Sequence, residues 1–167
     1  SIVMTGILSS KEVGFALMRA GLSPFSLDTD VFQIVYMGEN YLVHTDRLPE
    51  IYIEKKVPLD LFEYKSENWI VCYAMDRVNL RRSPVVVFRG EALDTVTFRI
   101  GIRPESAEEF GADLDSSFAR IEQAVDAFGQ ACEIAVRDDD KDSMAELIDS
   151  LSDPSSDSPW TRGKTMS

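Results

Sequence analysis

Histidine and cysteine are nearly missing from this chain. His44 is the only histidine in 167 residues, and Cys72 and Cys132 are the only cysteines. A Ser-His-Asp triad or a multi-histidine metal centre would rest on a single residue. The cysteines have no CxxC spacing and fall within apolar helical patterns, which reads as buried free thiols in a reducing compartment. His44 stands between Val43 and Thr45 in a strand-like run, so a structural or exposed histidine is expected there. Walker loop, GxGxxG, nucleophile elbow and HExxH motifs are all absent. Long apolar runs are missing too: none approaches the roughly 20 residues of a membrane span. Ile2-Val3-Met4 and Ile7-Leu8 are too short and broken for a signal peptide. These absences lead to the expectation of a soluble, cytoplasmic, non-enzymatic protein with no cofactor and no metal.

Positive charge is also scarce. Lys and Arg total 17 against 29 Asp and Glu, a net charge of -12. Residues 138–159 hold eight acids and one Lys, so that stretch alone carries -7. The body, residues 1–137, has 21 acids against 14 bases, again -7, and Arg162 and Lys164 return +2. Nucleic-acid phosphates demand a basic face, and anionic membranes attract one, so neither is an expected partner.

Hydrophobic residues make up 44% of the chain, enough for a real core. Ser9 and Glu12 have capping-box spacing ahead of the stripe Val13, Ala16, Leu17, Ala20, and Gly21 and Pro24 end that helix. Val31 to Tyr36 reads as a strand, Gly38-Glu39-Asn40 as a turn, and Tyr41 to His44 as the returning strand. Ile51 to Glu54 reads as a third strand fenced by Pro49 and Pro58, with Lys55 and Lys56 suiting a sheet edge. Over 67–82, Ile70, Val71, Ala74, Met75 and Val78 form one helical stripe, with Ser66 able to cap it. Val85 to Phe88 and Thr95 to Ile102 form a second hairpin. A third helix is expected from Ser116 to Arg137, where Leu114, Phe118, Ile121, Val125, Phe128 and Cys132 recur at spacings of 4 and 3. Gly129 in its middle would permit a close approach.

The chain changes character after Arg137, giving one domain over 1–137 and an acidic tail over 138–167. In the tail, Asp138 to Asp142 is a solvated charge run. Met144, Leu147, Ile148 and Leu151 form a short amphipathic helix, either docked on the body or kept for another chain. The end is rich in Ser, Pro and Asp and reads as disorder. Asp138 to Asp149 is not a calcium loop: position six is Ser143 rather than Gly, and position twelve is Asp149 rather than Glu. Arg77, Arg81 and Arg82 cluster at the end of the second helix, as a solvated helix end or as a seat for an anion or an acidic partner loop.

The order helix, three strands, helix, two strands, long helix implies an α+β fold: an antiparallel five-stranded sheet with helices packed on one face. The segments ending Met75-Asp76-Arg77-Val78-Asn79-Leu80, the hairpin Val85 to Phe88 with Val96 to Ile102, and the helix Phe118 to Ala135 resemble the type III secretion chaperone fold and the related YbjN family of bacterial sensory regulators. The likeness spans roughly residues 10–137. It departs from secretion chaperones in its extended tail and lacks a Gly-rich segment between the last two strands. The resemblance implies a non-enzymatic, homodimeric protein-binding or regulatory module. Arg77, Arg81, Arg82, Met144, Leu147, Ile148 and Leu151 are the expected partner-binding residues. The alternative is a small enzyme with a carboxylate-based site, which carboxylates of raised pKa in a pocket would mark.

Overall fold

Ser9 and Glu12 close the expected capping box. The Ser9 Oγ accepts from the Glu12 amide at 3.1 Å, and the Ser9 amide donates to Glu12 Oε1 at 3.3 Å. Helix α1 (Ser10–Arg19) follows and buries Val13, Ala16 and Leu17. Its far end is a Schellman motif: Gly21, at φ +82°, donates to Met18, and Leu22 donates to Leu17. These elements belong to a computed structural model of the chain. It describes residues 7–62 and 67–152, with residues 140–144, 146, 150 and 152 described as backbone only.

The sheet has six strands in the order β1-β2-β3-β4-β6-β5, every neighbouring pair antiparallel. Five strands are expected from the sequence; the extra one is β1 (Phe25–Asp28), all four of whose residues are exposed. Its order comes from hydrogen bonds to β2 (Val31–Tyr36), not from burial, so no hydrophobic period announces it. The turn from β2 to β3 (Glu39–Arg47) sits at Met37 and Gly38, both with positive φ, one residue earlier than expected. That is the two-residue geometry whose twist matches paired strands.

β4 (Glu50–Pro58) is not an edge. It lies inside the sheet between β3 and β6 (Thr95–Ile102). Lys55, expected to mark an edge, points to the helix side. There its Nζ meets Glu39 at 3.0 Å and also Glu122. An inward lysine needs such partners, because burial without them is costly. β5 (Val85–Arg89) forms the true edge beside β6.

The 67–82 segment is helical. α2 (Asn68–Asn79) buries Ile70, Val71, Ala74 and Val78, with Met75 packed alongside. Ser66, its expected cap, lies outside the described residues. Cys72 is exposed, against expectation, because it falls one position beyond the buried pair Ile70 and Val71; Cys132 is buried as expected.

α3 (Ala107–Ser152) starts nine residues before the expected Ser116 and runs through the position where the sequence suggests a break. Its true start is a side-chain cap: Glu109 donates its amide to Ser106 Oγ, and Glu109 Oε2 accepts from the amide of Glu105, the residue before the cap. The helix expected over 116–137 and the short one expected after it are a single element.

The three helices cover one face of the sheet. Ile34, Tyr41, Val43, Ile51, Ile53, Val87, Val96, Phe98 and Ile100 meet Phe110, Leu114, Phe118, Ile121 and Phe128 of α3. Phe128 lies 4.7 Å from the Phe62 ring and edge-on to Phe98 at 5.8 Å. Phe62 also lies over Gly129, 3.7 Å from where a Cβ would stand. Among the described residues, no helix is long and apolar enough to cross a membrane.

Candidate functional site

Three polar arrangements stand out: two braces and one open cleft. The first brace lies on the helix side. Tyr41 donates its hydroxyl to Glu122 Oε1 at 2.7 Å, and Lys55 joins the same carboxylate. Burial, then the bond to Glu122, pushes the Tyr41 hydroxyl far up. Burial alone would lower Lys55, but Glu122 and Glu39 outweigh it and raise the ammonium. The Phe118 ring lies between Tyr36 and Tyr41, with centroids 4.4 and 4.6 Å away. This brace fastens α3 to β3 and β4.

The second brace lies on the sheet face that the helices leave uncovered. Strand alternation brings Leu42 and His44 of β3, Tyr52 and Glu54 of β4, and Arg99 of β6 to that face. Glu54 is buried there, its side chain 4% exposed. Its Oε1 accepts from Arg99 Nε at 2.6 Å, and its Oε2 pairs with His44 Nε2 at 2.9 Å. The Arg99 guanidinium sits between the Tyr52 and Phe88 rings, 4.8 and 4.7 Å from their centroids. Gly101 leaves room for this stack: a Cβ there would stand 3.2 Å from the Tyr52 ring and 2.8 Å from Glu50 Oε1. Burial alone would raise the Glu54 pKa, but the bonds from His44 and Arg99 outweigh it and hold the carboxyl below its ordinary range. A carboxylate locked on both oxygens binds the sheet together; a general acid requires the opposite shift. His44 is thus one of the two groups that hold the Glu54 carboxylate.

The cleft lies where α2 ends. Arg81, Arg82, Ser83 and Pro84 form one wall, and Arg120, Gln123 and Ala124 of α3 form the other, around an open volume of about 360 Å³. Arg81, Arg82 and Arg120 are exposed, and none has an ion-pair partner among the described residues. Three unpaired guanidinium groups around one hollow are a strong local reversal of sign in a chain of net charge -12. Guanidinium forks match carboxylate and phosphate geometry. Arg77, expected with Arg81 and Arg82, is exposed but does not line the hollow. Arg120, which does, stands 38 residues from Arg82 and has no local signal to link it to them.

The remaining candidate residues stand far from the cleft. Side-chain burial along α3 ends at Ala135 and Val136, and every described side chain beyond is exposed. Leu147, Ile148 and Leu151 are 54%, 59% and 76% exposed, so the described part of this overhang does not dock on the body. The Met144 side chain lies outside the described residues. The structure thus brings Arg81 and Arg82 together with Arg120, and leaves the apolar stripe on a projecting helix end.

Next to the cleft, Asn79 ends α2 with a two-point bond to β5. Its Nδ2 donates to the Val87 carbonyl and its Oδ1 accepts from the Val87 amide, both at 2.9 Å. Ser83 Oγ accepts from the Val85 amide at 3.3 Å. Two amides of the edge strand, those of Val85 and Val87, are thereby occupied.

No family model matches the sequence, and no curated protein does. Among solved structures, the crystal structure of YbjN from E. coli, a candidate transcription regulator, is similar. It aligns with 83% of this chain and 97% of its own length, at a TM-score of 0.56 and 11% identity. At that identity the likeness is one of architecture. The chain has a YbjN-like fold.

Proposed function

We propose that this chain is a non-enzymatic regulatory or protein-binding module of YbjN or secretion-chaperone type. It works as a homodimer and receives a carboxylate-rich protein segment between Arg81, Arg82 and Arg120. The convergence of three unpaired arginines from two elements, in an otherwise acidic chain, carries this reading. Leu80, 79% exposed beside them, offers an apolar contact to the same segment. The enzyme alternative gains no support from Glu54, whose carboxyl is held down rather than raised.

The test is a titration with a fluorescein-labelled oligoglutamate peptide, followed by anisotropy. Each exposed charge pair contributes about 0.2–1 kcal/mol, so replacing all three arginines by glutamine should weaken binding roughly 3- to 150-fold. The triple variant should keep the wild-type far-ultraviolet circular dichroism spectrum, since all three side chains are exposed and none holds the core. Equal binding by wild type and the triple variant, or none by either, overturns the proposal.

A further inference from the structure

The acidic segment that fits this cleft is present in the chain itself, but on the wrong side to reach it. Residues 138–149 carry six acids and one lysine, and they belong to the same continuous helix as Arg120. Asp138 stands 18 residues from Arg120, about 27 Å along the axis at about 1.5 Å per residue. A helix cannot fold back on itself, so this overhang cannot neutralise its own cleft.

A second copy removes the obstacle. Ile134 is 45% exposed on α3 and stands 14 residues from both Arg120 and Ile148. Two α3 helices crossing antiparallel at Ile134 would each lay the stretch around Ile148 beside the partner's copy of the cleft. The arrangement is isologous, so both clefts fill at once and the assembly closes as a dimer. The chemistry also matches. The overhang offers acids together with exposed Leu147, Ile148 and Leu151; the cleft offers arginines together with Pro84, and exposed Leu80 precedes Arg81 just outside it. We propose that the acidic overhang of α3, residues 138–151, occupies the Arg81–Arg82–Arg120 cleft of a second copy of this chain. This rests on the reading of the cleft as a seat for carboxylate-rich segments and names its occupant. Self-association and capture of another acidic partner then compete for one site.

Charge exchange tests it. One variant reverses the cleft (Arg81→Glu, Arg82→Glu, Arg120→Glu), and a second reverses the overhang (Asp138→Lys, Asp139→Lys, Asp142→Lys, Glu146→Lys). Sedimentation equilibrium at tens of micromolar should give dimer mass for the wild type and monomer mass for each variant alone. An equimolar mixture of the two variants should restore the dimer, because each reversed cleft then meets a reversed overhang and each native cleft a native one. A misfolded variant could not give that rescue. A monomeric wild type, a dimer that survives both reversals, or a mixture that stays monomeric overturns the inference. If the wild type is monomeric yet still binds oligoglutamate through the arginines, the cleft reading stands and only its occupant is wrong. If oligoglutamate binding is absent as well, both fail.

Discussion

Phe128→Ala removes the ring at the centre of the aromatic packing between α3 and the sheet. Phe128 is fully buried, against Phe62 at 4.7 Å and Phe98 at 5.8 Å. Burying a phenylalanine side chain contributes about 1.5–3 kcal/mol by transfer alone. Each ring-on-ring contact adds about 0.5–1.5 kcal/mol. Alanine also leaves a void, which α3 cannot close by shifting because Ile121 and Cys132, one to two turns away on either side, are held in the same core. The expected loss is about 3–5 kcal/mol, the range found for buried aromatic truncations. For a chain of this size that corresponds to a melting temperature lower by about 6–20 °C. Urea unfolding should show the midpoint falling while the slope stays constant, since the surface exposed on unfolding hardly changes. A midpoint that barely moves would mean that α3 does not pack on the sheet through this ring, and the assigned core would be wrong.

Other outcomes follow from the same contacts. The folded pKa of Glu54 lies below its unfolded value of about 4.3, so its contribution is complete above that pH and is lost as pH falls through the folded value. The stability gap between wild type and Glu54→Gln should therefore shrink as pH falls below about 4.3 in urea unfolding; a constant gap would count against the brace. Asn79→Ala removes two bonds to β5 and should cost about 1–3 kcal/mol, with faster amide exchange at Val87; unchanged exchange there would refute the clamp. Gly129→Ala places its Cβ in ordinary contact with Phe62 and should stabilise by about 0.5–1 kcal/mol, read as a higher melting temperature. In the native protein a thiol reagent should modify Cys72 promptly and Cys132 only on unfolding, because burial pushes the Cys132 thiol up to about 11. Two fast thiols would contradict the packing of α3.

Elements that bury a regular stripe are legible in the sequence. α1, α2 and the body of α3 show their 3.6-residue period because one face of each is packed, and β6 shows alternation for the same reason. β1 buries nothing, so its four residues leave no pattern. The interior place of β4 was hidden because a lysine near its end suggests an edge, and only the distant Glu39 and Glu122 make an inward lysine tolerable. The start of α3 is signalled by Ser106 and Glu109 at capping-box spacing, but Gly111 and the acids at 113 and 115 obscure it. The cleft is half legible. Arg81 and Arg82 are neighbours in sequence, whereas Arg120 joins them through the packing of α2 on α3. The brace of His44, Glu54 and Arg99 depends on strand register, which no single segment encodes.

The clamp formed by Asn79 makes the two flanks of the sheet unequal. With the Val85 and Val87 amides taken by Ser83 and Asn79, the β5 flank offers little for another strand to grip. The β1 flank is short and exposed and carries no comparable seal among the described residues. A sheet with one receptive flank can join a second sheet once, flank to flank, and growth then ends. A sheet with two receptive flanks can add neighbours without limit. Losing the Asn79 clamp would therefore be felt twice, as a lower melting temperature and as a second flank open to strand pairing.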